Sequence, residues 1–150
     1  MSKTQINYDL VVKELSKGLI ALDSDVAKQC NMLPHIALSE FRTIRYGAGR
    51  QKGVTEFVTK LAGEHQGPVL VLTHATPLRD EFIFRVEGNY PGKNNITSLS
   101  GYFPENWRAE KFSLVVIDEA GFFFKKFGYD KMYRSLATQT TDDVVIHLIN

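Results

Sequence analysis

The apolar positions of this chain change period several times along its length. Val11, Leu15 and Leu19 recur every four residues behind Asn7, a residue type that caps helix starts, and predict a first helix. Asp23-Ser24-Asp25 supplies a second helix start, and Pro34 closes that segment. Bulky residues alternate from Phe41 to Tyr46, the period of a strand, which runs into glycines at Gly47, Gly49 and Gly53. Val54, Phe57, Val58 and Leu61 then fall at i, i+3, i+4 and i+7, one apolar stripe of a helix that Gly67-Pro68 ends. Val69–Thr73 is a continuous apolar run, expected of a strand covered on both faces.

The stretch Asp80–Val86 fits either helix or strand, and Asn94–Leu99 reads as a strand after a turn-rich segment. Leu114–Ile117 is the clearest buried strand; a helix around Tyr129–Ala137 and a last strand over Val144–Ile149 follow. Strands alternating with helices predict the α/β class: three layers, with a mostly parallel sheet flanked by helices. Tyr46 and Ile117 are expected on central strands, adjacent or nearly so.

Composition narrows the class of protein further. The chain has 150 residues, 43% of them hydrophobic, with 18 Lys and Arg against 17 Asp and Glu. That length suits one domain, and no linker or repeat divides it: residues 1–40 read as a helical segment packed on a core of residues 41–150. The net charge of +1 names no polyanion partner by itself. A single cysteine, Cys30, excludes a disulfide framework and a Cys-rich zinc site, and reads as a buried thiol in a reducing compartment. Met1–Asp9 carries no signal-like apolar run, and no apolar stretch reaches the ~20 residues of a membrane span. The expectation is a cytoplasmic protein with no membrane contact.

Two segments carry candidate chemistry. Arg45–Thr55 lies between a predicted strand and an amphipathic helix, where backbone N–H groups of a glycine loop and the helix dipole together cradle phosphate. Against the pattern G-x-x-x-x-G-K-[ST], Ala48 takes the first place, Gly49, Arg50, Gln51 and Lys52 fill the loop, Gly53 is the second glycine, and Thr55 is the hydroxyl that holds Mg²⁺. Val54 stands where the pattern has lysine, so Arg45, Arg50 and Lys52 are the cations left to meet phosphate. The second segment, Leu114–Ala120, ends a buried strand on Asp118-Glu119, at the edge of the sheet where α/β proteins bind ligands. A carboxylate there can hold Mg²⁺ beside a triphosphate, and its neighbour can deprotonate the attacking water.

Arg50-Gln51-Lys52-Gly53-Val54-Thr55 and Leu114–Ala120 resemble the two Walker motifs of the ATPase domain of phage large terminases, a P-loop family of the ASCE type. Val69–His74 is similar to the next strand of that core, and Val144–Asn150 to the strand carrying its ATPase coupling motif. The resemblance covers Phe41–Asn150. It implies an Mg-dependent ATPase motor acting on DNA within a homo-oligomer or larger viral assembly, in the host cytoplasm if the chain is viral. It implies further that Arg50 faces the γ-phosphate and Glu119 activates water, with Thr55 and Asp118 on the metal. Two departures stand: Ala48 occupies the place where lysine-lacking variants put a compensating lysine, and the 150 residues are expected to leave no room for the nuclease domain of packaging terminases.

A second reading is a P-loop module that binds nucleotide or a protein partner without turnover; Val54 favours it, and the intact Asp118-Glu119 pair favours the motor. His35, His65, His74 and His147 have no pairwise metal spacing, and His74 reads as a surface or hydrogen-bonded histidine. Phe122–Phe127 interleaves aromatics with Lys125 and Lys126, read either as packing or as a nucleic-acid contact. Gln5, Tyr8 and Gln29 are candidates to contact adenine.

Overall fold

A computed structural model of the chain describes residues 6–47, 53–101 and 110–150. Three helices, α1 (Tyr8–Ser16), α2 (Asp25–Cys30) and α3 (Pro34–Phe41), precede the first strand, β1 (Thr43–Tyr46). There follow α4 (Val54–Glu64), β2 (Val69–Thr73), α5 (Thr76–Asn89), β3 (Ile96–Ser100), β4 (Phe112–Ile117), α6 (Ala120–Phe127), α7 (Tyr129–Gln139) and β5 (Thr140–Ile149). The strands form one sheet in the order β1-β5-β4-β2-β3, every pair parallel. The protein is therefore α/β, with helices on both faces of the sheet.

Residue alternation divides the core in two. Leu70, Leu72, Val115, Ile117, Ile146 and Leu148 point to one face and pack with Leu38 of α3, Phe123 of α6, and Met132, Tyr133 and Leu136 of α7. Ile44, Tyr46, Val69, Val71, Leu114, Val116 and Ile149 point to the other, against Tyr8 of α1, Phe57, Val58 and Ala62 of α4, and Phe82 and Val86 of α5. With both faces covered, every residue of β2 is buried, which is why that strand reads as an unbroken apolar run.

Local signals account for several boundaries. The Asn7 side chain accepts a hydrogen bond from the Leu10 N–H at 3.1 Å, and Ser24 accepts one from Ala27 at 3.2 Å, so both expected caps are formed. Pro34, in contrast, opens α3: it stands in the first turn, where its missing N–H has no partner to lose. Phe41 belongs to that helix, which leaves the strand to begin at Thr43. The ambiguous stretch Asp80–Val86 lies inside α5, with Phe82 and Val86, one turn apart, buried. β2 and β3 are parallel neighbours, and a parallel pair needs such a crossover between its strands.

Two expectations are corrected. β1 lies at the sheet edge, not its centre, because the longer and more apolar β5 fits between it and β4. Cys30 is exposed: it ends α2, a six-residue helix that buries Ala27 alone. No helix among the described residues is long and apolar enough to cross a membrane.

β1 is fastened to β5 at both ends. The buried Arg42 guanidinium donates to the carbonyls of Val144 at 2.8 Å and Asp143 at 3.1 Å. At the other end the Asn150 N–H donates to the Tyr46 carbonyl at 2.9 Å, and Gly47 packs directly on Asn150. A Cβ on Gly47 would lie 2.2 Å from the Asn150 carbonyl oxygen, at a φ of +142°. Gly47→Ala is expected to cost about 2–4 kcal/mol from overpacking and backbone strain. Gly88→Ala, in α5 where a Cβ meets open space, should instead stabilise by about 0.5–1 kcal/mol. Urea-unfolding midpoints of the two variants check both signs.

Candidate functional site

The carboxyl ends of β1, β5, β4 and β2 open onto one edge of the sheet. The loop after β1 departs there; its residues Ala48, Gly49, Arg50, Gln51 and Lys52, all candidate phosphate contacts, lie outside the described residues. Gly53 caps α4 with a φ of +106°, a left-handed conformation that suits glycine, and contributes no side-chain cap. Val54, the first residue of α4, is half-buried against the cluster containing Tyr8 and Phe57. Its packing gives a physical reason for an apolar side chain where the loop pattern has lysine. Arg45 is not a loop cation: it sits in β1, and its guanidinium donates to Tyr129 Oη at 2.9 Å, on the α3–α7 face of the sheet.

Thr55 and Asp118 come together across the fold. Both line a cavity of about 20 Å³, along with Thr73, Glu81 and the apolar side chains of Val58, Val71, Leu78 and Phe82. That is room for about one water or a small cation. Asp118 is partly buried, and burial raises its pKa; the charges of Glu119 and Glu81 push the same way, against the Glu119 N–H, which donates to Asp118 Oδ1 at 2.9 Å, and His74. A carboxylate whose ionised form is destabilised by burial gains from a cation, and the oxygen donors of Thr55 and Asp118 are the hard ligands that Mg²⁺ prefers. Thr55 and Asp118 are thus two residues of this cavity with oxygen donors of the kind magnesium takes. Among the described residues, no group of three His, Cys, Asp or Glu side chains gathers as a metal cage.

Glu119 turns elsewhere. Its backbone is left-handed, φ 47° and ψ 53°, rare for a residue with a side chain. From that position its Oε2 accepts a hydrogen bond from His74 Nε2 at 2.5 Å. His74 follows β2 directly, its ring lies 5.7 Å from that of Phe122, and its carbonyl accepts from Lys126 Nζ at 3.0 Å. Phe122, Lys125 and Lys126 are exposed on one face of α6, whereas Phe123 is fully buried. The aromatic–lysine run thus divides between packing and surface.

β5 brings two further groups to the site. Asn150, just past its end, accepts from the Gly121 N–H at 3.3 Å and so joins the start of α6 to the strand beside the glycine loop. His147, buried in the middle of β5, shares a 2.7 Å hydrogen bond with Tyr46 Oη through Nδ1. Burial lowers the His147 pKa to about 3, helped by the charge of His65, and raises that of the Tyr46 phenol. Tyr8 is a core residue, stacked 5.3 Å from Phe57, and Gln29 lies on the exposed side of α2; Gln5 lies outside the described residues.

No protein-family model matches this chain, and no curated protein does either. Its description rests on the geometry: an α/β protein with a small cavity, lined by Thr55, Asp118 and apolar side chains, at the carboxyl edge of a parallel sheet. Sequence reading singled out Thr55, Asp118 and Glu119. It did not find Glu81, it named Asn150 only as the end of a strand segment, and it left His74 without a partner. Glu81 is disguised as one of several charges on a helix, and the other two contacts join segments remote in sequence.

The neutral His147 makes a measurable pH signature. The unfolded chain takes up a proton near pH 6.5 and the folded one only near pH 3, so His147 costs no stability above about pH 6.5 and progressively more as pH falls toward 3. The slope approaches ~1.4 kcal/mol per pH unit. Between pH 7 and pH 5, wild type should lose about 1–2 kcal/mol more than His147→Gln, read from urea-unfolding midpoints at the two pH values.

Proposed function

We propose that the chain is a nucleotide-binding P-loop ATPase core, similar to the terminase packaging motor, that binds Mg-ATP and hydrolyses it to act on DNA. One observation supports the reading: Thr55 and Asp118, from segments some sixty residues apart, line the same small cavity, next to the start of α4. The pairing of a loop–helix hydroxyl with a strand-end carboxylate is what magnesium beside a triphosphate requires.

In this reading the triphosphate lies over the glycine loop, outside the cavity, with the first turn of α4 supplying backbone N–H groups to it. Thr55 and Asp118 would hold magnesium, which when bound offsets the phosphate charge. Arg50, and with it Lys52, meets the terminal phosphate in place of the lysine that Val54 replaces. Glu119 accepts the proton of the attacking water. The exposed α6 face, with Phe122 for stacking and Lys125 and Lys126 for phosphates, offers DNA a contact surface at the same edge of the sheet. An arginine from a neighbouring subunit would complete the site in an assembly.

The second reading, a nucleotide-binding module without turnover, is favoured by the half-buried Val54. Turnover decides between them. Mg-ATP should raise the melting temperature of wild type but not of Asp118→Ala. Arg50→Ala or Lys52→Ala should weaken ATP binding by about 1.5–3 kcal/mol, the range for a charged hydrogen bond. Glu119→Gln should keep ATP binding and lower phosphate release at least ~10²-fold, assayed at high protein concentration with DNA. Binding without release above the Glu119→Gln background supports the module; no melting shift with Mg-ATP overturns both.

A further inference from the structure

A further cavity, of about 380 Å³, opens at the amino end of β5, where α2, α3 and the close of α7 meet the strand. Small side chains make it: Ala27, Ala37 and Ala137 stand where larger ones would fill the space, over a floor that includes Leu22 and Leu38. The ten residues of β5 span about 33 Å, so this cavity lies far from Asn150 and the carboxyl edge of the sheet. A ligand there is one that the nucleotide-binding reading does not supply. The apolar surface also continues past the cavity. Among the described residues ten large apolar side chains are exposed, and four of them, Val26, Met32, Leu33 and Ile36, belong to α2, α3 and the turn between. Leu33 is 57% exposed and Val26 56%. A small molecule filling the cavity leaves these side chains in water, whereas a helix laid across α2 and α3 covers them.

The rim carries charge, most of it negative. Asp142 lines the mouth on the β5 side, and Asp23 and Asp25 are exposed at the start of α2, just after the lining residue Leu22. None of these three aspartates forms an ion pair among the described residues. Lys28 is the one basic side chain that lines the cavity. We propose that this cavity and the α2–α3 surface beside it dock a basic amphipathic helix of a partner protein. An apolar side chain of that helix seats among the three alanines, and its neighbours one turn away cover Leu33 and Ile36. Lys or Arg side chains flanking the apolar stripe meet Asp23, Asp25 and Asp142. Lys28 repels them from its own lip, so the charge pattern is asymmetric and orients the helix. The docking does not depend on the ATPase reading.

The test pans random peptides displayed on phage against the full chain, then titrates the enriched peptides, made synthetically, by fluorescence anisotropy. Sedimentation equilibrium of wild type runs in parallel. Enriched peptides should carry apolar residues at i, i+3 or i+4, and i+7, with Lys or Arg beside them. Asp25→Lys combined with Asp142→Lys should weaken their binding more than about tenfold, and Lys28→Glu should strengthen it severalfold. Leu33→Asp, at an exposed position, should weaken binding to a similar extent with the melting temperature unchanged. Ala37→Phe fills the cavity and should abolish binding; Leu33→Asp serves as the test if Ala37→Phe fails to fold. Enrichment of no peptide, enrichment of neutral or acidic ones, or an affinity that Leu33→Asp does not move overturns the proposal. A wild-type dimer that Leu33→Asp dissociates assigns the face to a second copy of this chain and overturns it as well.

Discussion

The position of β5 between β1 and β4 is the constraint on which the rest of this structure depends. A parallel strand inserted there needs apolar side chains on both faces, and β5 provides them: Val144, Ile146 and Leu148 toward one helical layer, Val145 and Ile149 toward the other. Its ten residues outrun both neighbours, so its two ends can fasten β1. Arg42 caps carbonyls at the start of β5, and Gly47 seats against Asn150 at its end. The insertion also sets β1 two strands away from β4, which ends at the acidic pair.

The same geometry separates two residues that are neighbours in sequence. Asp118 still follows the strand and keeps the alternation of β4, which directs it to the α4–α5 face. Glu119 leaves the strand in a left-handed conformation before α6 begins, and this rotation carries its carboxylate to the end of β2. One acid thereby lines a small, mostly apolar cavity with Thr55. The other is tied to a histidine that an exposed aromatic covers. Divergent surroundings give two like groups distinct chemistry, and the sheet order decides which strand each one meets.

Two buried polar pairs lie within the cores, while the buried Tyr8 hydroxyl has no hydrogen-bond partner among the described residues. His147 and Tyr46 satisfy one another beneath the site, and the Thr43 hydroxyl meets Tyr133 Oη at 2.8 Å on the opposite face. A buried donor without a partner costs about 1–3 kcal/mol, so each pair constrains register as well as packing. The Tyr46–His147 bond lies across the junction of β1 and β5. It locks the strand that carries the glycine loop to the strand that ends at Asn150.

Much of the fold was legible in the order of residues, because burial writes a period into a chain wherever one segment alone determines which side faces inward. The unbroken run of β2, the strand ending at Ile117, the stripe of α4 and the caps at Asn7 and Ser24 are signals of that kind, and so is the nomination of Thr55, Asp118 and Glu119. Tertiary structure alone decided the rest. Asp80–Val86 is helical because parallel β2 and β3 must be bridged by a crossover, and β1 lies at an edge because β5 displaces it. The union of Thr55 with Asp118 in one cavity, the capture of Glu119 by His74 and the joining of Asn150 to Gly121 all depend on which strands lie side by side. Strand order follows from how whole layers pack, and no local period of hydrophobic residues encodes it.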